Sequence, residues 1–258
     1  MKITVINGTE KHGVTYRLKE IFLEEMCSGS GNSGSPEITE YYLPKDCPNF
    51  CTGCTACFLK GEQNCKDAGY IQKIEKSLRE ADLLVFTSPS YVFHATGAMK
   101  NMLDHFGYRW MSHRPAEEMF GKRAVIITQA LGAGEKSSAK DIKVSLSWWG
   151  ISFIKFCHFK LMDEILWDKM SEKKQGKMIR GVRKLALRME KIDYTKPAHT
   201  NIVAKLKFYV VRMLQKRLGK DNPEYTDFKY WKQNGWTEKQ RPWKKNSNRT
   251  LTAEENIK

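Results

Sequence analysis

The chain has 258 residues, 41% of them hydrophobic, which allows one large domain or a domain with an appendage and can build a proper core. Its longest apolar runs fall short of the ~18 residues of a membrane-spanning helix, and it has no internal repeat or low-complexity domain. Charge is divided: residues 1–150 carry 18 Lys+Arg against 17 Asp+Glu, residues 151–258 carry 26 against 12, and most of the net +15 therefore lies in the last two-fifths. Lys2 to Asn7 is a short apolar run of the kind buried in a parallel sheet, and it breaks at Gly8 into a polar loop. Tyr16, Leu18, Ile21, Phe22 and Met26 then share one face of a helix predicted over 14–26. The intervening loop ends at a helix N-terminus, where unpaired N–H groups, the macrodipole and the hydroxyls of Thr9 and Thr15 favour a phosphate, with Lys11 and His12 at the rim. This loop is neither G-x-G-x-x-G nor G-x-x-x-x-G-K-[ST], which disfavours a dinucleotide fold and an NTPase P-loop; alone it is equally an ordinary threonine-capped turn.

A flexible S-G-S-G-N-S-G-S stretch at 28–35, expected to be a mobile surface loop, leads to a strand at 37–43 and a helix at 69–80. The next strand, 82–88, ends in Ser88-Pro89-Ser90-Tyr91-Val92-Phe93, where a proline stiffens a loop able to present N–H groups and aromatic faces to a flat ring. An amphipathic helix at 95–106 follows, then a strand at 124–129 that opens into Thr128-Gln129-Ala130-Leu131-Gly132-Ala133-Gly134, where glycines permit close backbone approach. A helix at 136–149 and a strand at 152–160 complete a five-stranded doubly wound α/β pattern, whose ligand crevice lies outside the carboxyl ends of the strands.

After Lys160 the alternation stops and helical periodicity covers 172–191 and 202–218. The second of these helices is strongly basic and amphipathic. Packing onto the core or a sister subunit is the favoured reading, ahead of contact with an anionic membrane surface and of nucleic acid, for which no helix-turn-helix, zinc-finger or RNP pattern exists. Tyr225, Phe228, Tyr230, Trp231, Trp236 and Trp243 make the segment 222–243 dense in aromatics, which argues for docking; the last residues, 244–258, read as frayed.

Seven cysteines stand at 27, 47, 51, 54, 57, 65 and 157. The odd count and the lack of a leader segment point to a reducing cytoplasm rather than a disulfide scaffold. Cys51-x2-Cys54-x2-Cys57-x7-Cys65 can wrap one cubane, with Cys47 an alternative to Cys51; bare thiols, weighed slightly ahead of the cluster, and a zinc clip are the other readings. Cys27 and Cys157 read as small buried hydrophobes.

The segments G-T-E-K-H-G-V-T, S-P-S-Y-V-F-H-A-T-G-A-M-K-N-M-L-D-H-F and T-Q-A-L-G-A-G resemble the flavodoxin-like NAD(P)H-dependent FMN reductases and quinone reductases over roughly residues 1 to 160. The most specific element is Pro89-x-Tyr91 leading to Lys100-x3-Asp104. The resemblance implies that Thr9, Lys11, Gly13, Val14 and Thr15 hold the FMN phosphate, with His12 beside them. It further implies that Pro89, Ser90, Tyr91, Val92 and Phe93 border the isoalloxazine ring, and that Thr128, Gln129, Ala130 and Gly132 close its other side. Thr9 and Lys11 stand where the family usually has Ser and Arg, and lysine is a point charge rather than a planar fork. The cysteine run resembles that of iron-sulfur flavoproteins, in which a [4Fe-4S] cluster passes electrons to FMN, and the tail Asp227 to Trp236 resembles D-x-x-Y-W-x-x-x-G-W tails of related flavodoxin-like oxidoreductases, a resemblance that suggests an active-site wall or a dimer contact.

The expectation is therefore a flavodoxin-like five-stranded parallel sheet over 1–160 with a basic helical, aromatic-rich extension over 161–258. Its function is expected to be hydride transfer from NAD(P)H through FMN to a second acceptor, in a cytoplasmic homodimer or higher oligomer. No acid/base pair stands out, and His12 and His94 read as rim residues rather than proton donors. The rivals are an iron-sulfur electron carrier served by an acidic redox protein such as ferredoxin, which the +14 region would steer, and a cofactor-less binding module.

Overall fold

The computed structural model describes residues 1–28, 34–162 and 166–244; the glycine- and serine-rich stretch and the final residues named above fall largely outside them. In chain order the main elements are β1 (Lys2–Asn7), α1 (Val14–Ser28), β2 (Glu37–Tyr42), α2 (Ala56–Leu59), α3 (Ala68–Glu80), β3 (Leu83–Tyr91), β4 (His94–Ala95), α4 (Gly97–His105), β5 (Arg123–Ala130), α5 (Glu135–Trp148) and β6 (Phe153–Lys160). Three helices follow: α6 (Glu172–Glu190), α7 (Ile202–Asp221) and α8 (Thr226–Gln233). The sheet runs β2-β1-β3-β5-β6, all parallel, with the two-residue β4 pairing antiparallel to the end of β3. Strand order reverses between β1 and β3, so the crevice of a doubly wound sheet falls at their carboxyl ends.

Alternation along the central strands splits the core into two layers. Ile6, Leu84, Phe86 and Ile126 face α3, α4 and α5, while Ile3, Val5, Val85 and Ile127 face α1 and α6. Because both faces are covered, β3 is continuously apolar from Leu83 to Phe86 and β5 from Ala124 to Ile127, as buried parallel strands are. The helix α6 sets Met178, Val182, Ala186 and Met189 into the same layer as α1, so this part of the basic extension shares its core with the sheet. A third, aromatic cluster joins Met111 and Phe120 to Phe208, Val211, Trp231 and Trp236.

The aromatic tail docks as its composition suggests. Asp227 is fully buried: one carboxylate oxygen accepts from Arg114, the other from Tyr225 Oη at 2.9 Å and faces His113 Nδ1 at 2.7 Å. Tyr230 Oη donates to Pro115 O at 2.7 Å and Trp231 Nε1 to His113 O at 2.6 Å. These residues seal the segment 113–115 against α8.

Candidate functional site

Three strand ends meet at one edge of the sheet. The cleft there holds about 170 Å³ and is lined by Thr9, Lys11, Gly13, Val14, Thr15, Pro89, Tyr91, Gln129, Leu131 and Leu161. On the first loop, Thr9 Oγ1 accepts from Lys11 N at 3.2 Å and Gly13 N donates to Lys11 O at 2.9 Å, a tight double turn that delivers Val14 and Thr15 as the first residues of α1. The glycine that breaks β1 is required by packing: Gly8 N donates to Thr87 O at 2.7 Å, and a Cβ at Gly8 would stand 2.8 Å from that same oxygen. His12 is not among the residues that line the cleft and stacks on Tyr16, with ring centroids 3.9 Å apart.

The second loop differs in form from the expected open turn. The strand β3 continues to Tyr91, pairs Ser90 with Ala95 and Tyr91 with His94, and reverses through Val92 and Phe93 alone. Both have positive φ, 50° and 67°, which is the type I′ geometry of a two-residue hairpin. That conformation favours Asn and Gly, and a β-branched valine in it is strained. Yet the tip is held out in solvent, with Val92 90% and Phe93 61% exposed. From the other side Asp141 Oδ2 accepts from Ala95 N at 3.0 Å and lies 3.1 Å from His94 Nδ1, which pins β4 to α5.

The third loop supplies Gln129 and Leu131 to the cleft, while its other residues serve the framework. Thr128 is fully buried and donates to Glu135 O at 2.8 Å; Ala130 O accepts from Leu161 N at 2.8 Å. Gly132 has φ 80° and open space around it, whereas a Cβ at Gly134, φ 108°, would stand 2.7 Å from Phe93 Cα. Two buried oxygens lie near this junction, Gln129 Oε1 on a residue of the cleft wall and Ser90 Oγ beside Gly134, off the cleft lining. Ser90 Oγ and Gln129 Oε1 are both cut off from solvent, and among the described residues neither has a hydrogen-bond partner. Buried polar groups left unpaired are costly, so a site that aims one at a cleft is matched to a ligand that can pair it.

Sequence reasoning missed two wall residues and one brace. Leu131 lies inside the loop already singled out, and Leu161 follows the fifth strand, whose end tops the same edge of the sheet. Thr96 is the brace: its Oγ1 donates to Gly8 O at 2.6 Å and accepts from Met99 N at 3.1 Å, capping α4 while tying it to the first loop. A threonine at the second position of the helix predicted at 95–106 is an N-cap signal that moves the observed start to Gly97.

The cysteine loop lies against the other end of α4. Cys51 and Cys54 are exposed, Cys57 and Cys65 half-buried, and Cys47 buried. Asn101 Oδ1 accepts from Cys51 N at 3.0 Å, and Asn101 Nδ2 donates to Asn49 O at 2.8 Å. Burial pushes the Cys57 and Cys65 thiols up from their ordinary range and Cys47 to about 11, so as bare thiols these three stay protonated near neutrality. Among the described residues, the ligand atoms that converge closely enough for a single ion belong to Cys65, Asp67 and His105, all within 4.8 Å of one another, rather than to the four thiols. A cubane is larger than an ion and takes ligands spaced farther apart, so the four-thiol reading is a separate question.

A doubly wound parallel sheet with its cleft at the switch point, walled by a threonine-rich turn, a proline hairpin and a glycine loop, defines a flavodoxin-like α/β protein. The chain belongs to the NADPH-dependent FMN reductase family, whose match covers residues 1–159. Two relatives from Archaeoglobus fulgidus are named iron-sulfur flavoprotein. One is 25% identical over 149 residues, 58% of this chain and 63% of the relative; the other is 33% identical over 104 residues, 40% of this chain and 48% of the relative. The chain thus matches less than two-thirds of the length of either relative. Among solved structures, an azoreductase from Bacillus anthracis strain Sterne superposes with TM-score 0.55 at 14% identity, covering 74% of this chain and 98% of that one. An FMN-dependent NADH-azoreductase from Bacillus anthracis strain Ames Ancestor, in complex with FMN, gives 0.56 at 14% identity, covering 74% and 100%. At such identity these two share the fold.

Proposed function

We propose that the chain is an FMN-dependent NAD(P)H oxidoreductase that passes reducing equivalents to a second acceptor. The observation that carries this reading is the unpaired buried oxygen of Gln129, Oε1, on a residue of the cleft wall, in a cleft whose other wall is a helix N-terminus. The first suits a ligand with N–H groups along a ring edge; the second suits a phosphate. Thr9, Lys11, Gly13, Val14 and Thr15 would hold the phosphate, and Pro89, Tyr91, Gln129, Leu131 and Leu161 would border the ring. When bound, FMN supplies a two-electron centre that accepts hydride from a nicotinamide and returns it to another substrate. The residues here bind, orient and exclude water; His12 and His94 are given no proton-transfer role.

The cleft is smaller than the ~300 Å³ at which small-molecule pockets usually begin. Tyr91 and Leu131 on its wall, with Val92 and Phe93 next to Tyr91, are exposed. A second copy of the chain covering those side chains is the homodimer this reading includes.

Anaerobic reconstitution with FMN, followed by stopped-flow mixing with NADH and with NADPH, tests the proposal. Flavin absorption should bleach with at least one nicotinamide at a rate fast enough for turnover. Failure of both to reduce bound flavin would remove the reductase reading.

A second reading, an electron carrier with a [4Fe-4S] cluster on Cys51, Cys54, Cys57 and Cys65, is favoured by the bracing of the cysteine loop on α4 through Asn101, a helix whose N-cap Thr96 is hydrogen-bonded to Gly8 of the first loop. A broad dithionite-sensitive shoulder in anaerobically purified protein, absent in Cys54→Ser, is its signature. The cofactor-less module has no such support, since it leaves the orphaned Gln129 oxygen unexplained.

A further inference from the structure

The helix α7 is apolar on two opposite faces. Ala204, Phe208 and Val211 are buried against Phe120, Trp231 and Trp236, as expected of a helix that docks on the body of the protein. The other face carries Ile202, Leu206, Val210 and Met213 at 67, 58, 59 and 65% exposure, with Val203 and Leu214 beside them. Six large aliphatic side chains in one stripe over about three turns is far more than the scattered singles of an ordinary surface. A helix with a second apolar stripe, opposite the one it buries, has a second apolar environment to meet.

Charge decides among the occupants. There is no acidic residue in α7 before Asp221, and the stripe is bordered by Lys205, Lys207 and Lys216, with Arg217 and Lys220 at its far end. Across its edge Arg241 Nε donates to Tyr209 Oη at 2.9 Å, adding one more cation to the rim. A second copy of the chain laid face to face on this helix would set these rows of like charge against each other, at the cost that like-charge contacts carry. Nucleic acid would meet aliphatic side chains where it needs cations and stacking rings. A convex aliphatic ridge between basic rows matches hydrocarbon flanked by anionic headgroups.

We infer that α7 docks on an anionic lipid surface, its Ile202 to Leu214 ridge entering the acyl boundary and its lysines and arginines pairing with headgroups. The attachment is peripheral, since among the described residues no helix is long and apolar enough to cross a membrane. It is independent of the redox reading, because no residue of the ridge lines the cleft.

Co-sedimentation of the full chain with large vesicles tests it, using phosphatidylcholine alone and an equimolar mixture with phosphatidylglycerol. Binding is expected to the mixture, with strong loss at high salt, and little to phosphatidylcholine. Val210→Ser with Met213→Ser should weaken it by roughly tenfold or more, with an unchanged melting curve because both positions are exposed. Lys205→Gln with Lys216→Gln should weaken it while reducing the salt dependence. A wild-type chain that stays in the supernatant with both vesicles overturns the inference. So does a double serine variant that binds like wild type, or a dimer in sedimentation velocity that the serine variant dissociates, which would assign the ridge to a second copy.

Discussion

Gln129 carries its oxygen into a buried position and leaves it unpaired, which no framework role rewards. Replacing it with leucine should leave the ligand-free protein as stable or more so, because a costly orphan disappears, and should weaken FMN binding by about 1–2 kcal/mol. Thermal melts of the apo protein and fluorescence titration with FMN read the two effects separately; unchanged affinity would detach Gln129 from the cofactor. Thr96 makes the opposite trade. Thr96→Val removes both the bond to the Gly8 carbonyl and the cap on α4, so it should cost about 1–3 kcal/mol of unfolding free energy in denaturant titration. The chemistry of these residues was only half readable in the chain. The loops announced themselves by Gly8, Pro89 and Gly132, but the orphaned oxygens exist only once β3, β5 and their turns are brought together.

At the scale of elements, the strands are the best-read part of the sequence, because continuous apolarity in the central runs leaves few alternatives to a parallel sheet. The hairpin after β3 was not legible: Val92-Phe93 has none of the Asn or Gly chemistry that marks a type I′ turn, and only the pairing of Ser90 with Ala95 reveals it. Backbone strain of this kind collects at working sites. Val92→Asn with Phe93→Gly should therefore raise stability by about 1 kcal/mol or more while lowering turnover, because the native tip trades folding free energy for an apolar surface beside the cleft. A variant that gains stability and keeps full activity would show the tip to be idle. The helix α6 shows the other limit of sequence reading. Its amphipathic stripe was plain, but that the stripe covers the sheet beside α1 depends on the topology.

For the whole molecule, the buried Lys19 ties α1 to β2. Its ammonium pairs with Glu20 and, at 2.8 Å, with Glu40, while Asn7 Nδ2 donates to the same Glu40 oxygen at 2.9 Å. Burial opposes both charges, yet the mutual hydrogen bonds outweigh it, so Glu40 is held below the ordinary carboxylate range and Lys19 above the ordinary lysine range. The sign follows from each. Glu40 contributes stability that is complete above its unfolded pKa and fades as pH falls through the lowered folded value; Lys19 contributes below its unfolded pKa and fades as pH rises through the raised one. The melting temperature should thus be flat across neutrality and drop on acidification, with a shallower acid limb and a lower plateau in Glu40→Gln; an identical acid limb would exclude this cluster as its source.

The guanidinium of Arg114 reaches the carbonyls of both Cys57 and Phe58 as well as the carboxylate of Asp227, so one side chain clasps the thiol loop to the final helix. Clipping the polypeptide after 221 removes one of the two carboxylates that hold this cation, leaving Glu62, whose Oε2 accepts from Arg114 Nε at 3.4 Å, as its remaining ion pair and loosening its grip on the 57–58 backbone. The thiols would then answer faster to an alkylating probe, and the rate of that labelling becomes a gauge of whether the distal end of the chain is seated.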